Sequence, residues 1–212
     1  MAGSHQGSSL HVHEGASITH GAGRHQQSRL ELPEWCPVKV ISFFMNEQTE
    51  RAALALAHQI DELGWEYDFE SVPDHGSYQA NRQHVPSWIL WKLLEGPSEP
   101  MLWLNSTAVI KSEPVLLKNP VGDFAVFTVG RAYWAKTLYV NNSDRARAVV
   151  RRWADLNLEY PDRISCENFT QAIEELKPVM TLLPPSYSWL EESFPKTYPS
   201  QKPVILHPIG GL

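Results

Sequence analysis

The run Met101-Leu102-Trp103-Leu104 constrains this chain most. It is opened by Pro100 and closed by the polar triplet Asn105-Ser106-Thr107, and it is too short for a helix. It therefore reads as a buried strand that delivers small polar side chains to its C-terminal end. In open α/β sheets that end is where ligands bind.

The sequence on either side supplies the partners of such a strand. Val38 to Phe44 is β-branched and aromatic and predicts a first central strand. Met45 to Gln48 is a turn with Asn46 or Thr49 as helix cap, and Thr49 to Leu63 predicts a helix with Ala52, Leu56, Ile60 and Leu63 on one face, stopped by Gly64. Glu66 to Val72 alternates as a second strand. This opening is Rossmann-like, but its first turn has no Gly-x-Gly-x-x-Gly, so a dinucleotide cofactor is not expected. Pro73 to Gln83 reads as a polar loop and Val85 to Glu95 as a helix with Pro86 near its start. Beyond the triplet, Asp123 to Val129 and Thr137 to Val140 predict strands, Ser143 to Leu156 and Cys166 to Leu176 helices, and Val179 to Leu183 another strand. The helix from Ser143 turns Arg145, Arg147, Arg151 and Arg152 outward, the place to look for a polyanionic partner.

Composition narrows the class. With 212 residues, 42% hydrophobic and 20% charged, the chain suits one α/β domain plus a tail. Residues 1–34 are rich in Gly, Ser, His and Gln and read as a disordered tail, leaving residues 35–212 as the domain. The pair His11 and His13 has no acidic or thiol neighbours and reads as part of that solvated tail. No apolar run reaches the roughly 18 residues that cross a bilayer and no secretory pattern opens the chain, so no membrane association and a cytoplasmic location are expected. A net charge of -6 gives no general support to nucleic-acid binding, although a local basic patch stays open. Cys36 and Cys166 form neither a close pair nor a metal-ligand spacing, and read as buried structural thiols.

Four segments in order carry a family likeness: the LWL strand with its polar triplet and Pro114, Thr137-Leu138-Tyr139-Val140-Asn141-Asn142, Leu183-Pro184-Pro185-Ser186-Tyr187, and Val204-Ile205-Leu206-His207. Together they resemble the GT-A glycosyltransferases of the nucleotide-diphospho-sugar transferase-like type, from about Val38 to His207. The resemblance implies a single-domain α/β fold, a Rossmann-like mixed sheet flanked by helices. Its triplet is normally Asp-x-Asp, which holds a divalent cation against the donor diphosphate; here Asn105 and Thr107 replace both carboxylates. Lys136 likewise stands where the family has glycine.

Carried onto this chain, the resemblance places the donor at Asn105, Ser106 and Thr107, with Arg82 of the polar loop or Lys92 of the helix after it as phosphate partner. It makes Asn141 and Glu167 the candidate catalytic residues and His207 the candidate metal ligand. Tyr133 or Trp134 offers a ring for stacking on a sugar or base. Mn²⁺ or Mg²⁺ would be the cofactor, although the carboxylates that hold such ions are missing from the triplet. The expected activity is transfer of a sugar from a nucleotide-sugar donor, a uridine-diphosphate sugar first, to an unidentified acceptor. The alternative is a catalytically inactive protein of the same fold that binds a sugar nucleotide or a partner.

Overall fold

The computed structural model describes residues 38–96 and 98–208. The tail expected over residues 1–34, with His11, His13 and Cys36 just after it, lies outside the described residues.

A short buried strand and a more polar partner start the sheet. In β1 (Lys39–Phe44), Ile41 and Phe43 point to one face while Val40 and Ser42 point to the other, and all four are buried. That alternation with no exposed side is what a strand covered on both faces requires. α1 (Glu47–Glu62) follows at once, capped by Asn46, whose Oδ1 accepts from the Thr49 amide at 3.0 Å while the Thr49 hydroxyl accepts from the Asn46 amide at 3.1 Å. Both residues weighed as cap thus act together, in a capping box closed by threonine. β2 (Tyr67–Ser71) then pairs parallel to β1.

α2 (Tyr78–Glu95) starts seven residues before its expected position and runs through Pro86. Ser77 caps it, accepting from the Ala80 amide at 3.1 Å. Packing of Val85, Trp88, Ile89 and Leu93 on the sheet outweighs the loss of one backbone bond, since Pro86 has no N–H to give the Arg82 carbonyl. The chain then enters β3 (Met101–Leu104) on the other side of β1, also parallel to it. β1 therefore has its earlier and later crossovers on opposite sides, which opens a crevice at the C-terminal ends of β1 and β3.

After β4 (Val109–Ile110) and a short 3-10 turn at Val115–Leu117, β5 (Phe124–Val129) and β6 (Ala132–Val140) form a hairpin around Gly130, whose φ of 60° suits glycine. One nine-residue strand thus replaces the short strand expected over Thr137 to Val140. α3 (Asp144–Glu159), α4 (Ser165–Leu176) and β7 (Met180–Leu182) follow, with a 3-10 turn at Pro185–Ser188, β8 (Trp189–Leu190), α5 (Phe194–Thr197) and β9 (Ile205–His207) closing the described chain.

The result is a six-stranded mixed sheet of order β2-β1-β3-β6-β5-β7 flanked by helices, the fold class expected from the sequence. α2, α3 and α4 cover one face, where Trp88, Trp103, Trp153 and Phe169 fill the core. α1 and a small sheet of order β4-β9-β8 cover the other, around Leu56, Leu102, Leu104 and Trp189. Among the described residues no helix is long and apolar enough to cross a membrane.

Candidate functional site

The crevice is built from β3 outward. Leu104 is the last strand residue, and Asn105 and Ser106 behind it are buried. The Asn105 carbonyl accepts from the Ala108 amide at 2.8 Å, closing a tight turn, and its side-chain Oδ1 accepts long bonds of 3.4 Å from the Thr107 amide and hydroxyl. The Ser106 hydroxyl has no hydrogen-bond partner among the described residues. Thr107 borders a polar hollow of about 190 Å³ whose other walls include Asn46 and Asn81.

β6 enters the same place from the opposite direction. It is antiparallel to β3, with Thr137 opposite Leu104 and Val140 opposite Met101, so its beginning abuts the crevice and its end does not. The register with β5 also breaks. Val126 faces Leu138 and Phe127 faces Trp134, so residues 135–137 bulge out of the hairpin. The Lys136 carbonyl there accepts from the Asn105 amide at 3.3 Å. A bulge re-aims side chains, and this one directs Lys136 into the crevice.

Arg82 comes from α2, held by the Tyr78 hydroxyl at 3.1 Å and lying over that ring at 5.4 Å. Arg82, Lys136 and Cys166 line both a narrow recess against Asn105 and an adjoining cavity of about 530 Å³. The larger cavity is also bordered by Trp134, His207 and Glu192, the last being its one carboxylate among the described residues. Neither Arg82 nor Lys136 makes an ion pair among the described residues. Burial first, and then the charge of Arg82, bring the Lys136 ammonium down to about 8.

His207 is fully enclosed. Its Nε2 lies 2.8 Å from the Thr137 hydroxyl, and its Nδ1 has no partner among the described residues. Burial, with Lys136 adding to it, lowers the imidazole to about 3, so it is neutral at physiological pH. Burial pushes the Cys166 thiol up, against the opposing pull of Arg82. This cysteine, expected to be buried and structural, is half-buried at the wall of the cleft.

Of the residues singled out from sequence, Arg82, Asn105 and His207 meet around this cleft, with Ser106 and Thr107 on the adjoining turn. Three do not. Lys92 is bound on the outer side of α2, its Nζ 3.0 Å from Asp68 Oδ2 and paired also with Glu70. Asn141 follows the far end of β6, where its amide donates to the Asp123 carbonyl at 2.8 Å and its side chain to the Gly122 carbonyl at 3.3 Å. β6 runs antiparallel to β3, so the end of the strand that carries Asn141 lies away from the crevice. Glu167 sits exposed in the first turn of α4 and lines neither cavity. Of the two candidate rings, Trp134 borders the cleft while Tyr133 packs edge-on against Phe169 in the core. The arginine face of α3 is partly neutralised, as Arg152 pairs with Glu159 and Glu175 and Arg147 with Asp144.

Lys136 and Glu192 were missed. For Lys136 the signal existed, a lysine at the family's glycine position, but its aim depends on the bulge.

A hard divalent cation takes roughly six oxygen ligands, usually with carboxylates among them. The side chains at the triplet offer an amide and two hydroxyls, faced by a lysine and an arginine, and among the described residues no group of three or more His, Cys, Asp or Glu side chains gathers. This donor set does not fit such an ion.

The mixed sheet, its crevice at the β1–β3 switch and the flanking helices define a GT-A-like glycosyltransferase fold. Solved glycosyltransferase structures share it. One is a glycosyltransferase involved in the glycosylation of the major capsid of PBCV-1, at a TM-score of 0.65 and 14% identity, with 82% of this chain and 94% of that one covered. Another is the apo-form glycosyltransferase GlyE of Streptococcus pneumoniae TIGR4, at 0.51 and 12%, with 81% of this chain matched to 54% of that one. The chain thus spans about half the length of the second, and at these identities the likeness establishes the fold. No family model matches the sequence, and the comparison with curated proteins gives no match.

Proposed function

We propose that the cleft binds a nucleoside-diphosphate sugar, a uridine-diphosphate sugar first, and that the protein transfers the sugar to an acceptor hydroxyl. The observation that carries this reading is the convergence of Arg82, Lys136 and the buried Asn105 at the C-terminal end of β3, the ligand-binding edge of this fold. Breaking the bond from an anomeric carbon to a diphosphate puts negative charge on the leaving group. Preorganised cations stabilise that charge in the transition state more than in the ground state. Trp134 provides a ring beside the cavity for a sugar or base, and Glu192 a carboxylate to take the acceptor's proton.

A second reading, a binding protein without turnover, draws on the loss of both triplet carboxylates and on the exposure of Glu192. Calorimetric titration of a panel of nucleoside diphosphates and their sugars, followed by assay of nucleoside diphosphate released without acceptor, separates the two. Transfer predicts binding with slow release; a binding module predicts binding alone; no binding across the panel defeats both. If turnover is found, Glu192→Gln should lower kcat at least about tenfold while donor affinity holds, since a general base contributes roughly 10²–10⁴. An unaltered kcat removes Glu192 from the chemistry.

A further inference from the structure

Two cations share one cleft, and among the described residues neither is ion-paired. Arg82 and Lys136 line the same recess and the same cavity, on elements that the fold fixes from opposite sides of the triplet: α2 and the bulge of β6. By contrast, the buried Lys92 is matched by Asp68 and Glu70. Holding like charges together in a half-buried cleft raises the energy of the empty protein, and a bound anion relieves it. The Lys136 ammonium already feels that repulsion from Arg82. In the recess no carboxylate opposes an anion: Asn105 is neutral there, the adjoining Ser106 is neutral and His207 is uncharged with Nδ1 unpartnered among the described residues, while Glu192 borders only the larger cavity. A divalent cation, by contrast, would meet two positive charges and no carboxylate at the triplet.

The geometry points to a metal-independent diphosphate site, in which Arg82 and Lys136 together supply the positive charge that counters the two phosphates. The guanidinium offers a planar fork for two oxygens of one phosphate, and the ammonium a point charge for the next. This deepens the donor reading above and rests on it for the sugar nucleotide, but not for the anion itself.

Inorganic pyrophosphate is the probe, titrated by calorimetry into the full chain with EDTA present and again with Mn²⁺. Binding should persist in EDTA. Lys136→Met and Arg82→Met should each weaken it roughly 10–100-fold, the loss expected for one charge-assisted contact. Lys136→Arg should stay within about threefold of the parent because the charge is kept. Lys136→Gln repeats the test with a polar side chain, thermal melts report that each variant is folded, and Lys111→Met controls for charge removed from an exposed position. Binding that requires Mn²⁺, variants at Arg82 and Lys136 that bind like the parent, or no pyrophosphate binding at all each overturn the site. The two readings fail separately. Pyrophosphate bound while every nucleoside diphosphate and sugar nucleotide is refused upholds the cation pair and sinks the donor reading. Nucleotides bound only with metal do the reverse.

Discussion

Two lysines, one on α2 and one on β6, show what the fold does with a buried positive charge. Lys92 is 8% exposed, sits over the rings of Trp88 and Trp91 at 5.3 and 4.7 Å, and is held by two carboxylates of β2. Burial works against its ammonium, but the bonds to Glu70 and Asp68 together outweigh that and raise it above the ordinary lysine value. Lys136, on the bulge of β6, has burial and Arg82 acting in the same direction and no carboxylate among the described residues to oppose them. The first lysine ties β2 to α2. The second is kept charged at a cost to the fold, as the proposed anion site requires.

The largest effect that can break this contrast lies beside Lys136. His207 binds no proton in the folded protein until about pH 3, whereas an unfolded histidine does so near 6.5. Because the unfolded state takes up the proton first, stability is full above the unfolded value and is lost as pH falls from about 6.5 toward 3, by on the order of 4 kcal/mol. Urea melts along that range should show the fall, and His207→Gln should flatten its steepest part. A parent curve as flat as the variant's would mean that the ring is not held neutral.

Next in size is Lys92→Met, expected to destabilise by about 2–3 kcal/mol because it strands Glu70 against the helix and leaves Asp68 only the longer pair with Lys39; their partial exposure keeps the loss below that of a fully buried pair. Denaturant midpoints measure it. A neutral result would make the two lysines equivalent and end the comparison.

Lys136→Met should go the other way, gaining about 1–2 kcal/mol at pH 7. The sign follows from a folded value of about 8 below the ordinary 10.5. The penalty of the charged lysine is whole below pH 8 and fades as pH rises toward 10.5, so the variant's advantage should shrink over that window. A variant less stable than the parent at pH 7 would show that Lys136 has a partner in the empty protein.

The smallest effect belongs to the surface. Arg152→Ala, which removes pairs with Glu159 and Glu175 on exposed helix faces, should cost the least of these changes, and less still at high salt. A loss that ignores salt would argue against an ion-pair origin.

How far the site could be read from residues follows from which forces are local. β3 ends where its apolar run ends, because the next side chains are an amide and two hydroxyls that turn the chain. The cap at Asn46 and Thr49 and the α1 face of Leu56 and Ile60 are also set by neighbours within a turn. α2 was legible only in its apolar half. The polar stretch from Tyr78 to Arg82 has no hydrophobic period, and it is helical because Ser77 caps it and Asn81 ties back to the preceding loop through the His75 amide and Asp74.

The sequence by itself determined the alternating strands and helices, the polar triplet at the end of the central strand and the loss of its two carboxylates, since periodicity, capping and residue chemistry act over a few positions. Only the tertiary structure decided which polar groups share that strand's end. The Gly130 hairpin reverses β6, so Thr137 and Lys136 rather than Asn141 meet β3, and the broken register turns Lys136 toward Arg82. The carboxylates of β2 in turn take Lys92 out of reach. Strand direction and register depend on pairing between distant segments, and a charge finds its partner only once those segments are packed.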